Sequence, residues 1–165
     1  MARDSYPFPL TVTDTDIEKV AGKGAYLGMV RESPDGKKYL LVRNNASGTL
    51  ATNPIILRFV NGGGFTIAAA GANEPCDGIH SIGVPVVTNA YFWMQTDGIA
   101  SLTGTQTKGK FVGSIGAGVG GDLTPTYSIN EGGVDTHTLA GYIGIAAEDA
   151  STTGAVYIRP GFILV

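Results

Sequence analysis

The chain is 165 residues long, enough for one domain with a real core, and it is 43% hydrophobic but only 15% charged, well below the roughly 25% charge of ordinary soluble domains. A surface so poor in charge suits an exterior covered by partners, because charge is depleted where surfaces become interface cores. The formal net charge of −3 leaves no basic excess, and no apolar run approaches the ~20 residues of a bilayer span, so neither nucleic acid nor a membrane is an expected partner.

The first residues are polar and carry no apolar stretch of the kind a secretory signal requires, so the protein is expected to be made in the cytosol. Within residues 6–10, Pro7 and Pro9 hold the backbone extended while Tyr6, Phe8 and Leu10 alternate on one side. Such an arm lies on something, either its own barrel or a neighbour. The spacing of Thr15-Asp16-Ile17-Glu18 matches a capping box and predicts a short helix, stopped early by Gly22 and Gly24. Residues 1–20 thus read as an arm and short helix, and 21–165 as a single β-rich domain.

From residue 25 onward the punctuation is that of an all-β protein. Strands over 25–32 and 37–43 flank Pro34-Asp35-Gly36, and strands over 55–60 and 65–70 flank Asn61-Gly62-Gly63-Gly64, so both pairs read as hairpins. A further strand is expected over 84–88. The aromatic run from Tyr91 to Leu102 is broken once by Asp97-Gly98, which predicts a third hairpin with a two-residue turn. Pairing Thr96 with Ile99 would set Trp93 opposite Leu102 and Met94 opposite Ser101, giving a ribbon apolar on both faces that must be covered on both. More strands follow over 110–115, 141–147 and 155–159, with 162–165 after a Pro160-Gly161 turn. Strand-like runs every eight to twelve residues predict a compact β-barrel or β-sandwich built of hairpins.

Two glycine-rich stretches imitate nucleotide-binding motifs. Residues 104–110 have the glycine and lysine spacing of a P-loop, but Phe111 stands where magnesium needs Ser or Thr, and a strand follows where the phosphates need a helix. Residues 116–121 fit GxGxxG by spacing alone. Asp122-Leu123-Thr124-Pro125 cannot open the helix that would carry a pyrophosphate, which leaves a glycine-rich connection expected to be mobile or ordered by a partner.

The remaining chemistry is thin. Cys76 is the one cysteine, and with His80 it has no CxxC or HxxxH companion, so no metal site is expected. His137 is the other histidine. The pairs Asp14 with Asp16 and Glu148 with Asp149 read as solvated turn carboxylates and not as an acid/base pair, since strand neighbours point to opposite faces. No nucleophile elbow is present. The expectation is a non-enzymatic protein with no catalytic residue, metal or cofactor.

Four segments carry a family resemblance: residues 78–83 (Gly-Ile-His-Ser-Ile-Gly), residues 91–98 (Tyr-Phe-Trp-Met-Gln-Thr-Asp-Gly), residues 140–147 (Ala-Gly-Tyr-Ile-Gly-Ile-Ala-Ala) and residues 153–158 (Thr-Gly-Ala-Val-Tyr-Ile). Their pattern of glycine and apolar placement, across residues 77–160, resembles the capsid decoration or cement proteins of tailed bacteriophages, including the lambda-type head stabilisers. The chain departs from that pattern in its longer first half, with extra hairpins over 25–70, and in the 116–139 insertion. The resemblance implies a structural virion protein on the outer surface of the capsid, made in the host cytoplasm. It would bind across neighbouring subunits of the major capsid protein and associate with itself, as a homotrimer in the first instance and a dimer or monomer otherwise. Candidate capsid or protomer contacts are Tyr6, Phe8 and Leu10 in the arm, and Phe162, Ile163 and Leu164 in the apolar segment 162–165. A carbohydrate- or receptor-binding module of a tail or fibre is the competing reading, since such modules share the β-rich, charge-poor composition.

Overall fold

The computed structural model describes residues 12–15, 25–45, 47–60, 64–72, 74–123, 126–129, 135–138 and 141–158. The fold is all-β, with no helix among these residues. The expected short helix beyond Thr15 falls on 16–24, and the six candidate contact residues fall on 1–11 and 159–165; these stretches lie outside the described residues.

The strands are β1 (Val30–Glu32), β2 (Lys38–Asn44), β3 (Ile55–Phe59), β4 (Thr66–Ala69), β5 (Gly78–His80), β6 (Tyr91–Thr105), β7 (Phe111–Gly116), β8 (Val119–Asp122), β9 (Thr126–Ile129), β10 (Asp135–Thr138), β11 (Tyr142–Ala146) and β12 (Thr153–Ile158). Ten of them form one sheet in the order β1-β2-β4-β3-β5-β6-β12-β11-β7-β8, and β9 pairs with β10 separately. Because β6 also pairs with β2 and with β8, the sheet closes on itself twice. One ring runs β2-β4-β3-β5-β6 and the other β6-β12-β11-β7-β8, so two small barrels share one long strand. Closure satisfies the backbone groups that an open sheet leaves unpaired.

The aromatic run is therefore a single strand and not a hairpin. Residues 91–97 of β6 pair with β2, setting Trp93 opposite Leu41 and Met94 opposite Leu40. Residues 98–103 pair with β12, setting Leu102 opposite Gly154 and Ser101 opposite Ala155. At the changeover Lys38 faces Asp97 and Tyr39 faces Gln95, so Thr96 is an extra residue, a β-bulge. Gly98 follows with φ 87°. Asp-Gly suits such a bulge for the reason it suits a turn: both need a residue at positive φ. The Gln95 side chain fills the kink, its amide donating to the carbonyls of Asp97 (3.1 Å) and Ile99 (3.0 Å) while its oxygen accepts from the Ser81 hydroxyl (2.9 Å).

Alternation along β2 and β6 then builds three cores. Val42, Phe92 and Met94 point into the first ring with Leu57 and Ile67, while Tyr39, Leu41 and Trp93 point out of it and pack under Val12, Ala25 and Met29. In the second half of β6, Ala100 and Leu102 enter the second ring with Val112, Ile143, Val156 and Ile158. Ile56, Ala70, Cys76 and Ile79 of the first barrel complete that cluster and fuse the two barrels. Around Trp93 both faces of the run are covered, one by the flanking chain and one by the first interior, but from residue 98 on only the inward face is covered, and Ile99 is 46% exposed.

Both earlier hairpins form as expected. β1 pairs antiparallel with β2 around Pro34-Asp35-Gly36, and β3 with β4. Strands over 110–115, 141–147 and 155–159 correspond to β7, β11 and β12. The strand expected over 84–88 does not form. Pro85 interrupts it, and only Val86 bridges, exchanging two 2.9 Å backbone bonds with Leu50.

Candidate interaction surface

The motif-like segments prove to be structural. In 104–110 the turn amides are already taken: Thr107 N–H donates to an Asp122 carboxylate oxygen (2.9 Å), Lys108 N–H to Asp149 (2.8 Å) and Gly109 N–H to the Ala146 carbonyl (2.8 Å). A phosphate brought there would meet two carboxylates. The 116–121 stretch is the tight β7–β8 hairpin and not a mobile or partner-ordered connection. Gly118 N–H donates to Ala70 and Ile56 N–H to the Gly118 carbonyl, both at 2.7 Å, which pins its tip to the first barrel.

Cys76 and His80 serve different interiors. The Cys76 thiol donates to the Gly141 carbonyl (2.7 Å), and burial pushes its pKa up to about 11. His80 is fully buried, with Nε2 2.8 Å from the Ala51 carbonyl and the ring edge-on to Phe92 at 5.6 Å; burial pulls its pKa below the usual 6.5. No group of three or more His, Cys, Asp or Glu side chains suited to a metal occurs among the described residues. Glu148 and Asp149 are exposed turn residues, as expected, and each also accepts from backbone, Glu148 from Ala155 N–H (2.9 Å) and Asp149 from Lys108 N–H. Asp14, read as solvated, is instead buried.

Trp93 has no exposed surface. It offers no face on which a sugar could stack.

What remains is an exposed apolar surface beside β1 and the start of β4. Gly28, at φ 83°, lets the Phe65 ring lie directly on its backbone; a Cβ there would stand 2.4 Å from the ring. Phe65 meets Phe59 edge-on at 6.1 Å and is 41% exposed, while Tyr26 and Val30, two residues either side of Gly28, are 62% and 64% exposed. The stretch over 25–29, expected to be strand, is mostly a turn, with Met29 N–H donating to the Tyr26 carbonyl (3.1 Å). β1 then leaves this patch as the edge of the ten-stranded sheet, paired only with β2. An exposed apolar patch beside an unpaired edge is what a partner surface presents. Sequence reading missed it because Tyr26, Val30 and Phe65 are ordinary strand formers; only the register shows that no described strand covers them.

Val12, the first described residue, packs on the Trp93, Tyr39 and Leu41 cluster with Ala25 and Met29. Val12 thus lies on the outer cluster of the first barrel, and Tyr6, Phe8 and Leu10 lie outside the described residues. Compared with known protein families, with curated proteins and with solved structures, the chain shows no significant match in any of the three.

Proposed function

We propose that this is a non-enzymatic virion protein that decorates a bacteriophage capsid from outside and binds across neighbouring subunits of the major capsid protein. The observation that carries this reading is the exposed apolar surface of Tyr26, Val30 and Phe65 beside the open β1 edge. The charge-poor composition and the resemblance of residues 77–160 support it. A protein that binds the assembled shell and not its free subunits adds its association free energy to the shell alone. A homotrimer at a symmetry axis would engage several shell subunits at once and multiply that effect.

A receptor- or carbohydrate-binding module of a tail or fibre is the competing reading. The burial of Trp93, the chain's one tryptophan, deprives it of the usual stacking platform.

Incubation with expanded, undecorated capsids tests the proposal. Near-stoichiometric uptake is expected, with loss of uptake when residues 1–11 are removed or when Tyr26→Lys and Val30→Lys are combined, both variants keeping the wild-type circular dichroism spectrum. Binding to cells or glycans with few copies per particle would replace this reading with the receptor module.

A further inference from the structure

Among the described residues, β1 is the one strand of the ten-stranded sheet that pairs on a single side. Local chemistry fixes which of its backbone groups face out. The turn from Tyr26 to Met29, closed by Met29 N–H donating to the Tyr26 carbonyl (3.1 Å), carries Gly28 at φ 83°. Gly28 N–H donates to the Leu41 carbonyl and Leu41 N–H to the Met29 carbonyl, both at 2.9 Å, so Gly28 and Met29 together oppose Leu41 as a glycine bulge. At the other end of β1, Ser33 N–H donates to the Lys37 carbonyl (2.9 Å). Hydrogen-bonded pairs alternate along an antiparallel ladder, so the bonded pair between these ends is Arg31 with Tyr39. The N–H and C=O groups of Val30 and Glu32 therefore point away from β2 and form a short open edge, with the Val30 side chain 64% exposed beside it.

The side chains along that edge carry unmet charge. Glu32 is exposed and makes no ion pair among the described residues. Arg31, on the opposite face beside Tyr39, holds its Nη1 buried without a hydrogen-bond partner, a cost that an acceptor would remove. A second copy of this chain does not fit the edge. Two antiparallel β1 strands must pair outward residue with outward residue, so their two-fold axis would pass through Val30, Arg31 or Glu32. Centring on Arg31 sets guanidinium against guanidinium. Centring on Glu32 sets carboxylate against carboxylate and Val30 against Pro34, which has no N–H to give. Centring on Val30 sets Glu32 against Gly28, whose N–H already serves Leu41. A different chain escapes these conflicts when its residues opposite Glu32, Arg31 and Val30 are basic, acidic and apolar in turn.

We propose that β1 takes up an extended segment of the major capsid protein as an added antiparallel strand, one that reads basic, acidic, apolar along its own direction. The choice of partner rests on the capsid reading above. Main-chain bonds to Val30 and Glu32 hold the segment, and its alternate side chains give the specificity. Hydrogen exchange tests this on the unaltered chain. Free in solution, the Arg31 amide should exchange slowly and the Val30 and Glu32 amides fast, whatever the protein concentration. On expanded, undecorated capsids the Val30 and Glu32 amides are expected to slow several-fold. Glu32→Pro removes one outward donor, and Arg31 before it is already extended, so the β1–β2 pairing survives. Its affinity for capsids should fall about tenfold, the worth of one lost hydrogen bond, with Glu32→Gln falling less. Uptake of the wild type with both amides still fast, or with Glu32→Pro bound equally well, would overturn the added strand and leave the capsid reading standing. No uptake of the wild type would overturn both. Amides that slow with rising protein concentration in the absence of capsids would give the edge to a second copy and overturn the proposal.

Discussion

Gly104 and Gly120 lie backbone against backbone where β6 and β8 pair in parallel, so tightly that a Cβ on Gly104 would stand 1.8 Å from the Gly120 carbonyl oxygen. This contact closes the second barrel. Gly104 also sits at φ 139°, a conformation that L side chains rarely adopt. Gly104→Ala is therefore expected to part β6 from β8 at a cost of about 2–4 kcal/mol. At about 2–4 °C per kcal/mol the melting temperature should fall by roughly 5–15 °C, measured by calorimetry. A Gly48→Ala control, with open space at its Cβ position and no positive φ, should cost far less.

Trp93 fills the outer cluster with Tyr39 and Leu41 and has no exposed surface. Trp93→Ala should cost about 3–5 kcal/mol, read from the urea midpoint by circular dichroism. The loss is expected to appear as lowered stability rather than lost glycan binding. An unchanged midpoint with abolished glycan binding would contradict the packing described.

His80 makes stability depend on pH. Its folded-state pKa lies below the ordinary 6.5 because burial disfavours the imidazolium, so the unfolded chain takes up this proton first as pH falls. Its contribution is thus intact above about pH 6.5 and is lost progressively below that value, down to the folded-state pKa. Between pH 7.5 and 5 the urea midpoint of the wild type should fall further than that of His80→Gln, the difference being the histidine's share.

Cys76 should be chemically silent in the folded protein. With its pKa pushed up to about 11 and its thiol donating to Gly141 inside the second core, almost no thiolate exists at pH 8. Labelling by a disulfide reagent is expected to follow the rate or extent of unfolding, rising sharply at the urea midpoint. Fast labelling without denaturant would show that the junction between the barrels opens locally.

Much of the fold was legible in the sequence because local chemistry decides it. Pro34-Asp35-Gly36 and Asn61-Gly62-Gly63-Gly64 lie between good strand formers, and turn residues act on their immediate neighbours whatever the rest of the chain does. The same holds for β7, β11 and β12, whose apolar alternation matches a half-buried strand. The failure of residues 104–110 as a P-loop was legible too, since Phe111 in place of Ser or Thr breaks that pattern whatever the tertiary fold.

Asp97-Gly98 shows where that reasoning ends. A residue that accepts positive φ serves a two-residue turn or a bulge equally well, and nothing within residues 91–102 distinguishes them. The choice belongs to β2 and β12, which come from 38–44 and 153–158 and offer pairing partners to the two halves of one long, bulged strand. Exposure of Tyr26, Phe65 and Tyr157 was likewise settled by which distant strands lay beside them. The amino-acid sequence by itself determined most of the strands and the β1–β2 and β3–β4 hairpins, set by interactions between near neighbours. Only the tertiary structure decided that β6 is shared by two closed barrels and which apolar faces remain outside them, because both depend on pairings between segments tens of residues apart.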